Sequence, residues 1–190
     1  YASSMTVGSL ARLSRRSGAE LGTRPHDSNK ESMKPTFVRL ATPADISYVA
    51  NNLRQADADE VRAATGMDAR LVLPSQAAGR EILAAGLRHN DRAEILYGVD
   101  PWPDTDTVGV IWMLSTPEIY DHPVEFVVMT QRELARFHER YELLTNFIDA
   151  RNERHIKWLS WMGFKFIQRV ESFGAEGRPF IEFARYKPCA

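Results

Sequence analysis

The stretch Asn152-Glu153-Arg154-His155-Ile156-Lys157-Trp158-Leu159 gathers an amide, an imidazole and an indole at the start of a helix-like run. An Asn in front of such a run can cap its first amides. Trp158 and Trp161, three residues apart and set off from the Ile156–Leu159 stripe, expose at least one indole or pack against a second layer, and an exposed Trp favours a partner surface. Thr130-Gln131-Arg132-Glu133 has the form of a capping box, which would start a helix there. Other chemistries find no pattern. His26, His89, His122, His138 and His155 show no paired spacing for a metal. There is no P-loop, no nucleophile elbow and no basic stripe for sequence-specific nucleic-acid binding.

These residues need elements to hold them. Phe37 to Leu40 is a β-rich run. Thr42-Pro43-Ala44-Asp45 starts a helix, with Ile46, Val49 and Leu53 on its inner face. Asp57 and Glu60 open a second helix that Gly66 ends, and Pro74-Ser75 is expected to open a third carrying Ile82, Leu83 and Leu87 inward. The period then changes. Residues 94–99 and 108–115 read as two antiparallel strands joined by Asp-Pro-Trp-Pro-Asp-Thr-Asp. In the second strand Val108, Val110, Trp112 and Leu114 alternate with Gly109, Ile111 and Met113, so both faces are apolar and the strand is central. His122 to Met129 is open between strand and helical turn. A helix from the capping box to about Tyr141, a strand over 143–148, a helix from Glu153 to Met162, and strands over 164–170 and 179–186 complete the order. It implies an α/β (α+β) fold with a mixed, partly parallel sheet and helices on both faces.

The chain has 190 residues, 44% hydrophobic and 26% charged, with a net charge of −1. That is ordinary for one globular domain and gives no global attraction to nucleic acid or an anionic membrane. No apolar run reaches membrane-spanning length. The single cysteine, Cys189, has no internal partner, and the chain reads as intracellular. Residues 1–32 are rich in Ser, Arg and Gly and lack a secretory core. They are expected to form a disordered extension, with Met33 as the expected true start and one domain over 33–190.

The element order, with Asn-x-x-His-Ile-x-Trp-Leu-x-Trp-Met-Gly-Phe over 152–164, resembles the GNAT N-acetyltransferase fold. The resemblance covers about 37–186 and implies a three-layer fold, a sheet that splits between its parallel strands, and acetyl-CoA as cofactor. It places Asn152 toward the cofactor arm and Thr130, Gln131 and Arg132 where the pyrophosphate loop falls. The sequence departs from the pattern twice. The loop, within Met-Thr-Gln-Arg-Glu-Leu, holds no glycine, and Glu133 would repel an anion. Leu159 stands where the family carries its tyrosine acid, leaving His155, Tyr97 or Tyr120 as proton sources.

The stretches 141–166, 109–116 and 37–46 also resemble the small internal virion protein family of short-tailed podophages. That implies a catalytically degenerate GNAT-like protein of genome ejection, bound to other phage virion proteins, in the virion or the infected cell's cytoplasm, with no cofactor expected. An active N-acetyltransferase using acetyl-CoA is the alternative, and a non-catalytic acyl-CoA-binding module is a third.

Overall fold

The computed structural model describes residues 37–189, apart from 78 and 88–90. The expected extension over 1–32 and the start at Met33 lie outside the described residues. Seven strands form one sheet in the order β1-β2-β3-β4-β5-β7-β6. They are β1 (Phe37–Leu40), β2 (Leu83–Gly86), β3 (Ile95–Pro101), β4 (Val108–Ser115), β5 (Leu143–Asp149), β6 (Lys165–Phe173) and β7 (Arg178–Tyr186). Every neighbouring pair is antiparallel except β4 and β5, which run parallel.

Three short helices lie on one face: α1 (Pro43–Asn51), α2 (Gln55–Thr65) and α3 (Ala69–Gln76). Ile46, Val49 and Leu73 from this layer pack on Ala84, Leu96, Trp112 and Leu114. Two further helices, α4 (Pro123–Arg140) and α5 (Glu153–Trp161), lie on the other face. There Phe126 and Met129 meet Ile95, Tyr97 and Met113, while Leu134 and Leu159 meet Leu144, Ile148 and Phe183. The two residue sets of β4 thus bury on opposite faces, as their alternation requires.

Local signals explain several ends. Thr42 and Asp45 form a complete capping box at α1, and Asp45 also pairs with Arg39. Gly66 closes α2 in the left-handed region at φ 75°. Gly163, at φ 85°, does the same after α5 and turns Phe164 into the core against Phe183. The β6–β7 turn lies on the C-terminus of α2. Ala175 N–H donates to Ala64 O at 3.2 Å and Glu176 N–H to Ala63 O at 3.1 Å, satisfying carbonyls the helix leaves open.

Two expected elements differ. The third helix starts at Asp68, not at Pro74, and Pro74 lies inside it. Leu83 to Gly86 is a fully buried strand rather than part of that helix. Leu-Ala-Ala-Gly has no alternation, because both of its faces are covered, and Ala favours a helix wherever packing does not overrule it. Gly86 is required by the Phe37 ring, which would lie 2.1 Å from an added Cβ. The second difference is α4. It begins at Pro123, so Thr130 is not its cap. The Thr130 hydroxyl turns back onto Phe126 O (2.9 Å) and Val127 O (3.0 Å) instead.

Candidate functional site

The parallel strands part almost at once. Their register runs from Val108↔Leu143 to Val110↔Thr145, after which β4 continues to Ser115 and β5 to Asp149 without pairing. Asn146 stands at the fork. Its Nδ2 donates to Ile111 O at 2.7 Å, and its Oδ1 accepts from Phe147 N–H at 2.8 Å. The side chain replaces the ladder bond that the divergence breaks.

The split exposes a strand edge. Trp102 N–H donates to Val108 O and Thr116 N–H to Glu94 O, so the even-numbered residues of β4 hydrogen-bond to β3. Met113, opposite Tyr97 in a non-bonded pair, therefore directs its N–H and C=O toward the gap. A cavity of about 850 Å³ fills the gap and reaches both helical layers.

Among the described residues, His155 Nδ1 and Trp158 Nε1 are buried polar atoms without a formed hydrogen bond, Tyr97 Oη lies beside the Glu133 carboxylate, and all four residues line this cavity. Buried polar groups in folded proteins are nearly always bonded, so this cluster marks a place for polar ligand atoms or water. Glu133 Oε2 is ion-paired with Arg136 at 3.1 Å. Burial, and then the Glu133 charge, hold the Tyr97 hydroxyl well above its usual range, so it keeps its proton. Burial, and then the Arg54 charge, press His155 down to about 3, so its ring is neutral at physiological pH.

The other layer contributes a carboxylate. Glu60 of α2 lines the cavity, and its Oε2 accepts from Asp149 N–H at 3.4 Å and Asn152 Nδ2 at 3.3 Å. Burial and the nearby Asp57 carboxylate push Glu60 up to about 8. Asp57 itself is tied to Arg54, with Nη2–Oδ1 at 2.5 Å and Nε–Oδ2 at 3.0 Å, and accepts from Ser115 N–H at 2.9 Å. The pair bolts α2 to the end of β4, which fixes Glu60 over the split.

At the start of α4, Pro123 removes one donor and Phe126 N–H is bonded to His122 O, which leaves few first-turn amides for an anion. The Glu125 carboxylate shares their turn, and no glycine lies between Thr116 and Glu125.

The fold is similar to those of known structures. A GNAT-family acetyltransferase from Streptococcus pneumoniae matches at a TM-score of 0.51 and 16% identity, over 80% of this chain and 99% of that one. The putative acetyltransferase yncA from Salmonella typhimurium, solved with its cofactor acetyl-CoA, matches at 0.55 and 14%, over 83% and 98%. A GNAT-family acetyltransferase from Bacillus anthracis matches at 0.62 and 10%, over 82% and 96%. The fold is that of the GNAT acetyltransferases. No protein-family model matches the sequence, and no curated protein matches it.

Within this GNAT fold the expected site residues separate. Thr130 lines the cavity, but its hydroxyl is spent on the α4 backbone. Gln131 and Arg132 are exposed in the middle of α4, where their amides belong to the helix ladder and hold no anion. Asn152 is buried at the N-cap position yet makes no capping bond; its amide holds Glu60 instead. Glu133 is likewise not at a helix start but faces the cavity. Of the proton sources, His155 and Tyr97 line the cavity, whereas Tyr120 is 42% exposed and stacks under Arg154. Trp158 packs on Phe126 and Trp161 is 61% exposed. Sequence reasoning missed Glu60 and Asn146. The spacing of Asp57 and Glu60 on one helix was a signal for paired carboxylates. Asn146 left none, since only the divergence gives it a role.

Among the described residues no helix is long and apolar enough to cross a membrane.

Proposed function

We propose that the protein transfers an acyl group from acetyl-CoA to an amine at the split between β4 and β5. One observation carries the reading: the unpaired Met113 edge opens onto a cavity lined by the under-bonded buried polar atoms of His155 and Trp158. The residues fit the arm of the cofactor. Met113 N–H and C=O can pair with an extended, amide-bearing chain as an added strand would. When bound, acetyl-CoA supplies an acyl group on a sulfur that can leave as thiolate. Glu60 in its ionised form receives the proton that the acceptor ammonium must lose; raised to about 8, that form grows as pH climbs from 7 past 8, so transfer should quicken over that range. Neutral His155 is a second acceptor on the same cavity. Tyr97 Oη keeps its proton and presents a donor. Asn152 orients Glu60.

The diphosphate end is held less well. A helix start that opens on Pro123 and carries the Glu125 carboxylate in its first turn makes a weaker anion site than a glycine loop of unobstructed N–H groups. Affinity for acetyl-CoA therefore rests on the arm.

That helix start also favours a second reading, in which the fold persists without catalysis as a virion protein acting with other phage proteins. Calorimetric titration with acetyl-CoA separates the two. Saturable binding, weakened at least about tenfold when a bulky side chain is introduced by Asn146→Trp at the fork, supports the first. Thiol release with a simple amine should fall by roughly 10²–10⁴ in Glu60→Gln. No binding at millimolar acetyl-CoA, with the protein folded, favours the second.

A further inference from the structure

Resting on the acyltransferase reading, we propose that the acceptor is an arylalkylamine-type compound: a primary ammonium on a short tether from a flat aromatic group, without a carboxylate. The α2 side of the cavity is built for such a shape. Phe147 of β5, Phe173 of β6 and Phe180 of β7 form a ladder of rings, with centroids 4.8 Å and 4.6 Å apart and planes inclined by 27° and 31°. Phe180 is 1% exposed and forms the back wall, while Phe147 and Phe173 are half-buried and line the cavity. Across the split Trp112 lies on β4, against Gly98, and Trp102 stands 37% exposed at the end of β3. Rings from both sides of the split thus line one cavity with Glu60, and the space between them is the proposed slot.

Charge on this side selects the head group. Asp104 and Glu182 line the cavity, as does Asp100, which is paired at 3.5 Å with Arg80, the one arginine among the lining residues. An ammonium is attracted by the acids and by the ring faces; a carboxylate or phosphate on the acceptor is repelled. Long polyamines gain the charge but leave the ring walls uncovered.

The test is binding by saturation-transfer NMR and calorimetry, without any acyl donor, using phenethylamine, n-butylamine, spermidine and phenylacetate. The expected order places phenethylamine at least about fivefold above n-butylamine and spermidine, the scale of one or two ring contacts. Phenylacetate should be weaker than phenethylamine by a similar factor. Phe147→Leu and Phe173→Leu, which keep bulk for folding, should erase the preference, and Phe147→Tyr should retain it. Equal or tighter binding of spermidine or n-butylamine overturns the proposal, as does binding of phenylacetate as tight as the amine. The two readings fail separately. Selective phenethylamine binding without acyl transfer to any amine removes the acyltransferase reading and leaves the slot. Acyl transfer that prefers spermidine keeps the enzyme and removes the slot.

Discussion

Replacing Glu60 by Gln should raise stability at alkaline pH and flatten its pH dependence between about 5 and 8. In the folded protein Glu60 is pushed from 4.5 to about 8, chiefly by burial and then by Asp57. The folded state therefore holds a proton that the unfolded chain gives up above 4.5. Stability from this group is complete below 4.5, falls as pH rises toward 8, and is level above that. At about 1.4 kcal/mol per pH unit the ceiling of the effect is about 5 kcal/mol. The cavity beside Glu60 reaches solvent, which screens the charge, so about 2–3 kcal/mol is the expected loss. Gln has nearly the same shape, and its carbonyl can accept from Asp149 N–H and Asn152 Nδ2 as Glu60 Oε2 does. Urea unfolding of wild type and Glu60→Gln at pH 5, 7 and 9 reads this directly. The curves should lie close at pH 5 and separate in favour of the variant by pH 9. Parallel curves, or a wild type that gains on the variant as pH rises, would refute the assignment of a buried, proton-holding carboxyl and with it the base proposed for catalysis.

Gly174→Ala should destabilise the domain by more than Gly163→Ala. At Gly174 (φ 66°) an added Cβ would lie 2.5 Å from Ala63 O, whereas at Gly163 (φ 85°) its nearest neighbour is Arg185 Nε at 3.4 Å. About 3 kcal/mol or more against about 1–2 kcal/mol is expected from denaturant melts. His155 should stay neutral at pH 5, because burial and Arg54 hold it near 3; histidine ¹⁵N NMR checks this. Its contribution to stability is full above its ordinary 6.5 and is lost as pH falls toward 3. Asn152→Ala makes no change in capping but removes the Nδ2 donor to Glu60, so the Glu60 titration should move further up, followed by ¹³C carboxyl NMR.

Much of the architecture was legible because it is written locally. Thr42 to Asp45, the Gly66 and Gly163 stops, the two-faced apolar alternation of β4 and the Gly-Phe entry to β6 each depend on neighbours a few residues away. The resemblance drawn from residues 152–164 reached the right fold for the same reason. What failed were segments whose local pattern fits a different element. Thr130 to Glu133 has the spacing of a cap, yet Pro123 had already begun the helix, and a helix interior offers no free amides. Leu83 to Gly86 reads as helix until sheet neighbours bury both of its faces. The candidate site lies still further from the sequence. Asn146 matters because β4 and β5 diverge beside it, and Glu60 is raised because α2 is bolted over the split by Arg54 and Asp57. The sequence by itself determined the α1 cap, the Gly66 and Gly163 stops and the central strand, since these follow from periodicity and backbone preference. Only the tertiary structure decided which polar groups are shut away from water together. Proton affinity depends on that enclosure and on charges brought near from distant parts of the chain, neither of which a linear spacing encodes.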